Sequence, residues 1–248
     1  MLLWQESWLF TGLIVPLSSV ITPTEVLAYH VVRTQRKTLS LRVHNDRIEV
    51  RAPLALPDYK IQQWVVSKHT WITTRQLEQQ RKAAQKPLLE HGRTIPFLGM
   101  SRRIVLSKGN ARVIEHNNDL MVFCRDIDSA AQVQKTIECW LKNEACAYMQ
   151  PRILELAEIL RVADKITAIY FRRTKSKWGH CTSAGALQFN WLVMMAPIEV
   201  IDYLIIHELC HLTHMNHSAA FWRLVQHYCP DFQQHRQWLK QQGHTISF

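Results

Sequence analysis

The feature that most constrains this chain's fold lies near its C-terminus, where an apolar run from Pro197 leads into HELCHLTHMNH, residues 207–217. Val200, Ile201, Leu204 and Ile205 recur at helical spacing and give that run a buried face. Pro197 opens it, at the first turn, where a missing N–H costs least. His207 and His211 are four residues apart, so a helix sets both imidazoles on one face, one turn apart. His217 joins them only if the helix ends near Thr213 and the chain turns back through Met215-Asn216. Ser218 then caps a further helix carrying Phe221, Trp222 and Val225.

Two imidazoles at this spacing suit one zinc ion, and a third, His217, makes a site with three protein ligands and room for water. Such an ion lowers the pKa of water to about 7. Glu208 follows the first histidine and points beside the metal, where it can accept a proton from that water. The competing reading is an amphipathic helix that happens to be histidine-rich. The apolar helix and the third histidine at ligand spacing favour the metal. His214 shares the face only if the helix continues, so a surface or supporting role is expected for it. Cys210 faces away from the ligands and packs.

Upstream, LAYHVVR, TLSLRV and RIEVRA are short strands, with a hairpin turn at Asn45-Asp46. A helix follows from about Asp58, with Ile61, Trp64, Val65 and Ile72 at its period. Four more strands are expected within residues 93–123. A long helix runs from about Ser129 to Val162, kinked or restarted at Pro151. KITAIYFR and LQFNWLV are strand-like, and a last helix ends at Gly243. No internal repeat is evident.

The formal net charge of +10 favours an acidic partner such as a nucleic acid or a nucleotide, although the basic residues are spread along the chain and form no tail. The six cysteines contain no CxxC pair, which points to reduced thiols in a cytoplasmic protein and gives no support to a zinc finger. Residues 1–27 begin apolar, but Pro16, Ser18 and Ser19 interrupt the run, and no stable membrane span is expected. They are an appended segment, a weak anchor, or the product of a start site placed too far upstream, and the last is preferred.

HELCHLTHMNHSAAFW, followed by CPDF and WLK, resembles the YgjP-like family of predicted zinc metallopeptidases. The same family has an R-x-x-K-x-x-W-G-x-C element, here Arg172 to Cys181, and an N-W-x-L element met loosely by Asn190 to Val193. R-x-x-R-K-T at Arg33 to Thr38 and V-R-A-P at Val50 to Pro53 also fit. His180 stands where the family usually has Ser. The resemblance runs from about residue 28 to the end and implies an α+β chain. It would hold a β-rich region with one helix, residues 28–125, then a zincin-like metal-binding domain, residues 126–248, with residues 1–27 outside the match.

The function implied is a zinc (Zn2+) metallopeptidase acting on a peptide or protein substrate, with Glu208 as general base and His207, His211 and His217 as ligands. The strand near Phe189-Asn190-Trp191 is the candidate for pairing an extended substrate. His180, Tyr203 and Arg172 are candidate oxyanion donors. A second reading is a metal-dependent nucleotide phosphohydrolase. In a strand, Arg173, Lys175 and Lys177 share one face and, with Arg172 in the same basic run, form a phosphate clamp. A third is a metal-stabilised nucleic-acid-binding protein, which would have no use for Glu208.

Overall fold

The computed structural model describes residues 18–21, 26–44, 47–174 and 176–248, so the turn expected at Asn45-Asp46 lies outside the described residues. The fold is mixed α and β, as expected. Two compact units divide the chain, residues 1–84 and 85–248. That break lies upstream of the one read from the sequence at 125/126.

In the first unit, β1 (Ser18–Ile21), β2 (Val26–Thr34), β3 (Ser40–Val43) and β4 (Ile48–Pro53) form a sheet in the order β1-β2-β4-β3. The central pair, β2 and β4, is parallel, and the outer pairs are antiparallel. Ile48, Val50 and Ala52 alternate inward along β4, the period of a half-buried strand. They share a core with Tyr29, with Ile61 and Val65 of α1 (Asp58–Ser67), and with Ile72 of α2 (His69–Ala84). The sequence reads as one helix here, yet the structure breaks it at Lys68, whose φ and ψ are −103° and 4°. Ser67 Oγ donates to the Trp64 carbonyl at 2.7 Å, a local bond that competes with the helical ladder. Arg33 donates to the Pro53 carbonyl at 2.9 Å and also reaches the Leu56 carbonyl and the Asp58 carboxylate. The arginine of one N-terminal motif and the proline of the other thus meet, tying the sheet to the start of α1.

The second unit begins with β5 (Thr94–Phe97), β6 (Met100–Lys108), β7 (Arg112–His116) and β8 (Asp119–Cys124), in the order β5-β6-β8-β7. Again the central pair is parallel and the outer pairs antiparallel. The strand order and pairing of the first unit therefore recur, and in both cases a helix follows the fourth strand. No repeat is visible in the sequence because a sheet constrains which positions are apolar, not which residues fill them. The helix is α3 (Ala130–Ile159), which runs unbroken through Pro151 and buries Val133, Ile137 and Leu141. Arg152 forms a forked pair with Asp202, at 3.0 and 2.7 Å, and so ties α3 to the helix that carries the histidines.

β9 (Ala168–Phe171), β10 (Gly179–Cys181) and β11 (Ala186–Phe189) form a third sheet in the order β10-β11-β9. β11 is paired on both sides, antiparallel to β10 and parallel to β9. It gives way to a buried 3-10 turn, Trp191–Met195, where extended chain was expected. Then come α4 (Ile198–Cys210), α5 (Ala219–Tyr228) and α6 (Phe232–Gln242). Leu187, Phe189, Ile201, Ile205, Leu209 and Phe221 belong to one core, which supports the histidine cluster from beneath. Among the described residues, no helix is long and apolar enough to cross a membrane.

Candidate metal centre and active site

α4 ends at Cys210, earlier than the sequence suggests, but His211 keeps helical angles (φ −66°, ψ −21°), so the one-turn register with His207 survives. The chain then reverses, and Ser218 caps α5 by accepting from the Phe221 N–H at 3.4 Å. This brings His217 back to the helix. One ring nitrogen from each of His207, His211 and His217 lies within 4.8 Å of the other two. Nε2 of His217 stands 3.1 Å from Nε2 of His207. Nitrogens bound tetrahedrally to one zinc at ~2.1 Å stand ~3.4 Å apart, so the cluster has the dimensions of a binding site.

The His211 tautomer agrees with that use. Nδ1 of His211 lies 3.0 Å from the His214 carbonyl, to which it can only donate, leaving Nε2 with a lone pair. His214 thus contributes its main chain. Burial, then the neighbouring imidazoles, pushes the His207 pKa down to about 3, and burial also lowers that of His211. Both rings are therefore neutral, the state in which an imidazole ligates. The nearby thiols stay protonated, since burial pushes Cys181 to about 11 and Cys210 to about 12. The donor set is three imidazoles, which suits zinc and also nickel or cobalt.

Aromatic packing holds the rings. Phe221, fully buried, stacks on His211 with centroids 4.5 Å apart and meets His207 edge-on at 5.0 Å. Trp222 stacks on His217 at 5.4 Å and is itself stacked on Phe232. Phe221→Ala is expected to cost ~3–5 kcal/mol of stability, lowering Tm by roughly 10 °C, because it leaves a cavity beneath the histidine rings. A thermal melt in chelator and in zinc checks this.

Glu208 sits beside the cluster, only 4% exposed, at the wall of a cavity of about 460 Å³. Burial pushes its carboxyl up to about 8, opposed by the charge of Lys177. β10 runs directly over this carboxyl. A Cβ on Gly179 would lie 2.3 Å from Glu208 Oε1 and 2.6 Å from its Cγ and Cδ. Only glycine permits that approach. The sequence held no signal for it beyond the glycine of W-G-x-C, because the two residues are far apart in the chain.

The family model for the YgjP-like metallopeptidase domain matches residues 37–242. The chain belongs to the YgjP-like family. It is a peptidase-type hydrolase. No match is found among the curated proteins. Among solved structures, the metallopeptidase zymogen of Pyrococcus abyssi abylysin aligns at 22% identity with a TM-score of 0.34, over 39% of this chain and 98% of that one.

Within this YgjP-like unit the other residues singled out from the sequence take different places. Lys177 and His180 line the cavity, as does Tyr203. Arg172 does not: it is exposed, with its guanidinium 4.7 Å over the Tyr170 ring. Arg173 pairs with Glu138 and the Phe248 carbonyl. Lys175 lies outside the described residues. The strand expected to align Arg173 and Lys177 ends at Phe171, so the phosphate clamp is not formed. Asn190 is buried, its Oδ1 accepting from the Leu192 N–H at 3.1 Å and its Nδ2 donating to Thr174. Those bonds leave Asn190 a cap for the 3-10 turn and not a substrate ligand. The strand proposed for substrate pairing, β11, is central and has both edges taken, whereas β10 and β9 are edge strands.

Proposed function

We propose that this YgjP-like chain is a zinc-dependent metallopeptidase in which His207, His211 and His217 hold the metal and Glu208 is the general base. The observation that carries this reading is the meeting of three imidazole nitrogens beside a buried carboxyl group in one cavity. A zinc ion held by those nitrogens supplies Lewis acidity, acidifying water and polarising a carbonyl. Glu208 takes the proton of the attacking water and passes it to the leaving amine. Its burial favours this, since a carboxyl in a dry site is a stronger base than one in water. Gly179 holds the carboxylate's position from the side opposite α4. His180 and Tyr203, both on the cavity wall, are placed to donate to the oxygen that gains charge. β10 is an edge of its sheet, and an extended peptide adding to it would pass the cavity. The cysteines are free, which suits a reducing, cytoplasmic setting.

Glu208→Gln tests the assignment, because it preserves volume and removes only the base. The variant is expected to bind one equivalent of zinc and to lose peptide turnover ~10³-fold. Full turnover in a zinc-loaded Glu208→Gln protein would place the base elsewhere.

A further inference from the structure

A cavity larger than the histidine site lies elsewhere in the second unit. It is a groove of about 920 Å³ between the first half of α3 and the β7–β8 hairpin. Its floor includes Val113, Cys124 and Trp140, and its rim carries Arg112, Arg125 and Lys135. All three cations are exposed, and no carboxylate lines the groove among the described residues. Of the acids nearby, Glu138 pairs with Arg173, while the charge of Asp126 acts on Cys124 and Glu144 bonds to Trp140. Arg112 is held over the Phe123 ring at 4.2 Å, so part of this charge is fixed in place.

The repeated topology shows what such a groove lacks. In the first unit, the corresponding space lies between α2 and the edge strand β3. There Gln79 of α2 reaches across and donates to the Val43 carbonyl at 2.8 Å, and the cavity beside it measures about 200 Å³. In the second unit β7 is the edge strand, and among the described residues no side chain of α3 bonds to it. The open groove therefore offers a strand edge, apolar flooring, and hydrogen-bonding side chains at Asn110, Gln132 and Asn143. These suit the main chain of an extended polypeptide. A single nucleic-acid strand would want exposed rings to stack on, but the one aromatic lining the groove, Trp140, is 9% exposed.

We propose that this groove is a second substrate-binding site, which takes an extended, acidic segment of the polypeptide being cleaved. The inference rests on the peptidase reading. It adds that substrates with an acidic stretch remote from the scissile bond are held at two places, so cleavage of long chains is favoured over cleavage of short ones.

The test is a binding measurement that needs no turnover. A fluorescein-labelled ten-residue Glu/Ala peptide is titrated into the full Glu208→Gln chain, beside its Gln/Ala counterpart and a labelled ten-nucleotide thymidine strand. In parallel, alkylation of Cys139, an exposed thiol on the groove wall, is followed by peptide mapping. The acidic peptide should bind, weaken with salt, and slow alkylation of Cys139. Arg125→Glu with Lys135→Glu should weaken it ~tenfold. Both residues are exposed, so the double variant should melt with its parent, and in the wild-type background it should still cleave a short neutral peptide. Equal affinity in the double variant, no binding of the acidic peptide, or protection of Cys139 by the oligonucleotide alone would each overturn the proposal. Failure of peptide cleavage in the wild-type chain would overturn the peptidase reading instead, and the binding data would show the difference.

Discussion

Gly179→Ala is expected to remove most peptide turnover while leaving the bound metal in place. The added methyl would lie 2.3 Å from Glu208 Oε1, closer than any stable contact. Either β10 or the carboxylate must shift. β10 is held to β11 at Gly179, His180 and Cys181, and the Trp178 carbonyl accepts from the Asn190 N–H at 2.7 Å. The end of the Glu208 side chain is the softer of the two, so it moves, and the base leaves its position. Turnover should fall ~10²–10⁴-fold, as for loss of the base itself. Zinc stoichiometry should match wild type, since the three atoms nearest the methyl all belong to Glu208. Gly179→Ala added to Glu208→Gln should slow turnover little further, because the base that the methyl displaces is already gone. Such non-additivity is the signature of direct contact. Wild-type turnover in Gly179→Ala would mean that Glu208 works from another position or not at all.

The second large effect is on the metal. His217→Ala should weaken zinc binding by more than ~100-fold, since losing even a hydrogen-bond partner behind a ligand costs ~10–100-fold. His217 is the proposed ligand that arrives after the reversal, from an exposed position, and its ring is held by stacking on Trp222. His214→Ala is the control. Its side chain is not in the cluster, and its carbonyl, the acceptor for His211, survives the substitution. Competition with a chromophoric chelator reads both. If His214→Ala loses the metal and His217→Ala keeps it, the third ligand has been misassigned.

Much of the site was legible in the sequence because it is local. Pro197, the one-turn spacing of His207 and His211, and the Ser218 cap each act within a few residues, and the structure has all three. What could not be read depends on partners distant in the chain. β10 has three residues, too few for a period, and it exists because β11 pairs with it. Whether β11 is central or edge is a property of the sheet, and the strand that the sequence suggested for substrate pairing has both edges taken. Asn190 looked like a site residue because it belongs to a motif, yet its bonds to Leu192 and Thr174 show that it shapes the turn entering α4. The Gly179–Glu208 contact joins two motifs that sequence alone presents as separate. The extent of the second unit also depends on packing, since residues of β5, β6 and β8 share a core with α3.

The most direct test of the account is to incubate an unfolded protein with the metal-stripped chain, before and after one equivalent of zinc is restored, and to count new peptide termini by mass spectrometry. New termini that appear only with zinc, and not in the Glu208→Gln protein, are the predicted result. Termini that form equally in chelator, or none in the zinc-restored chain, would contradict it.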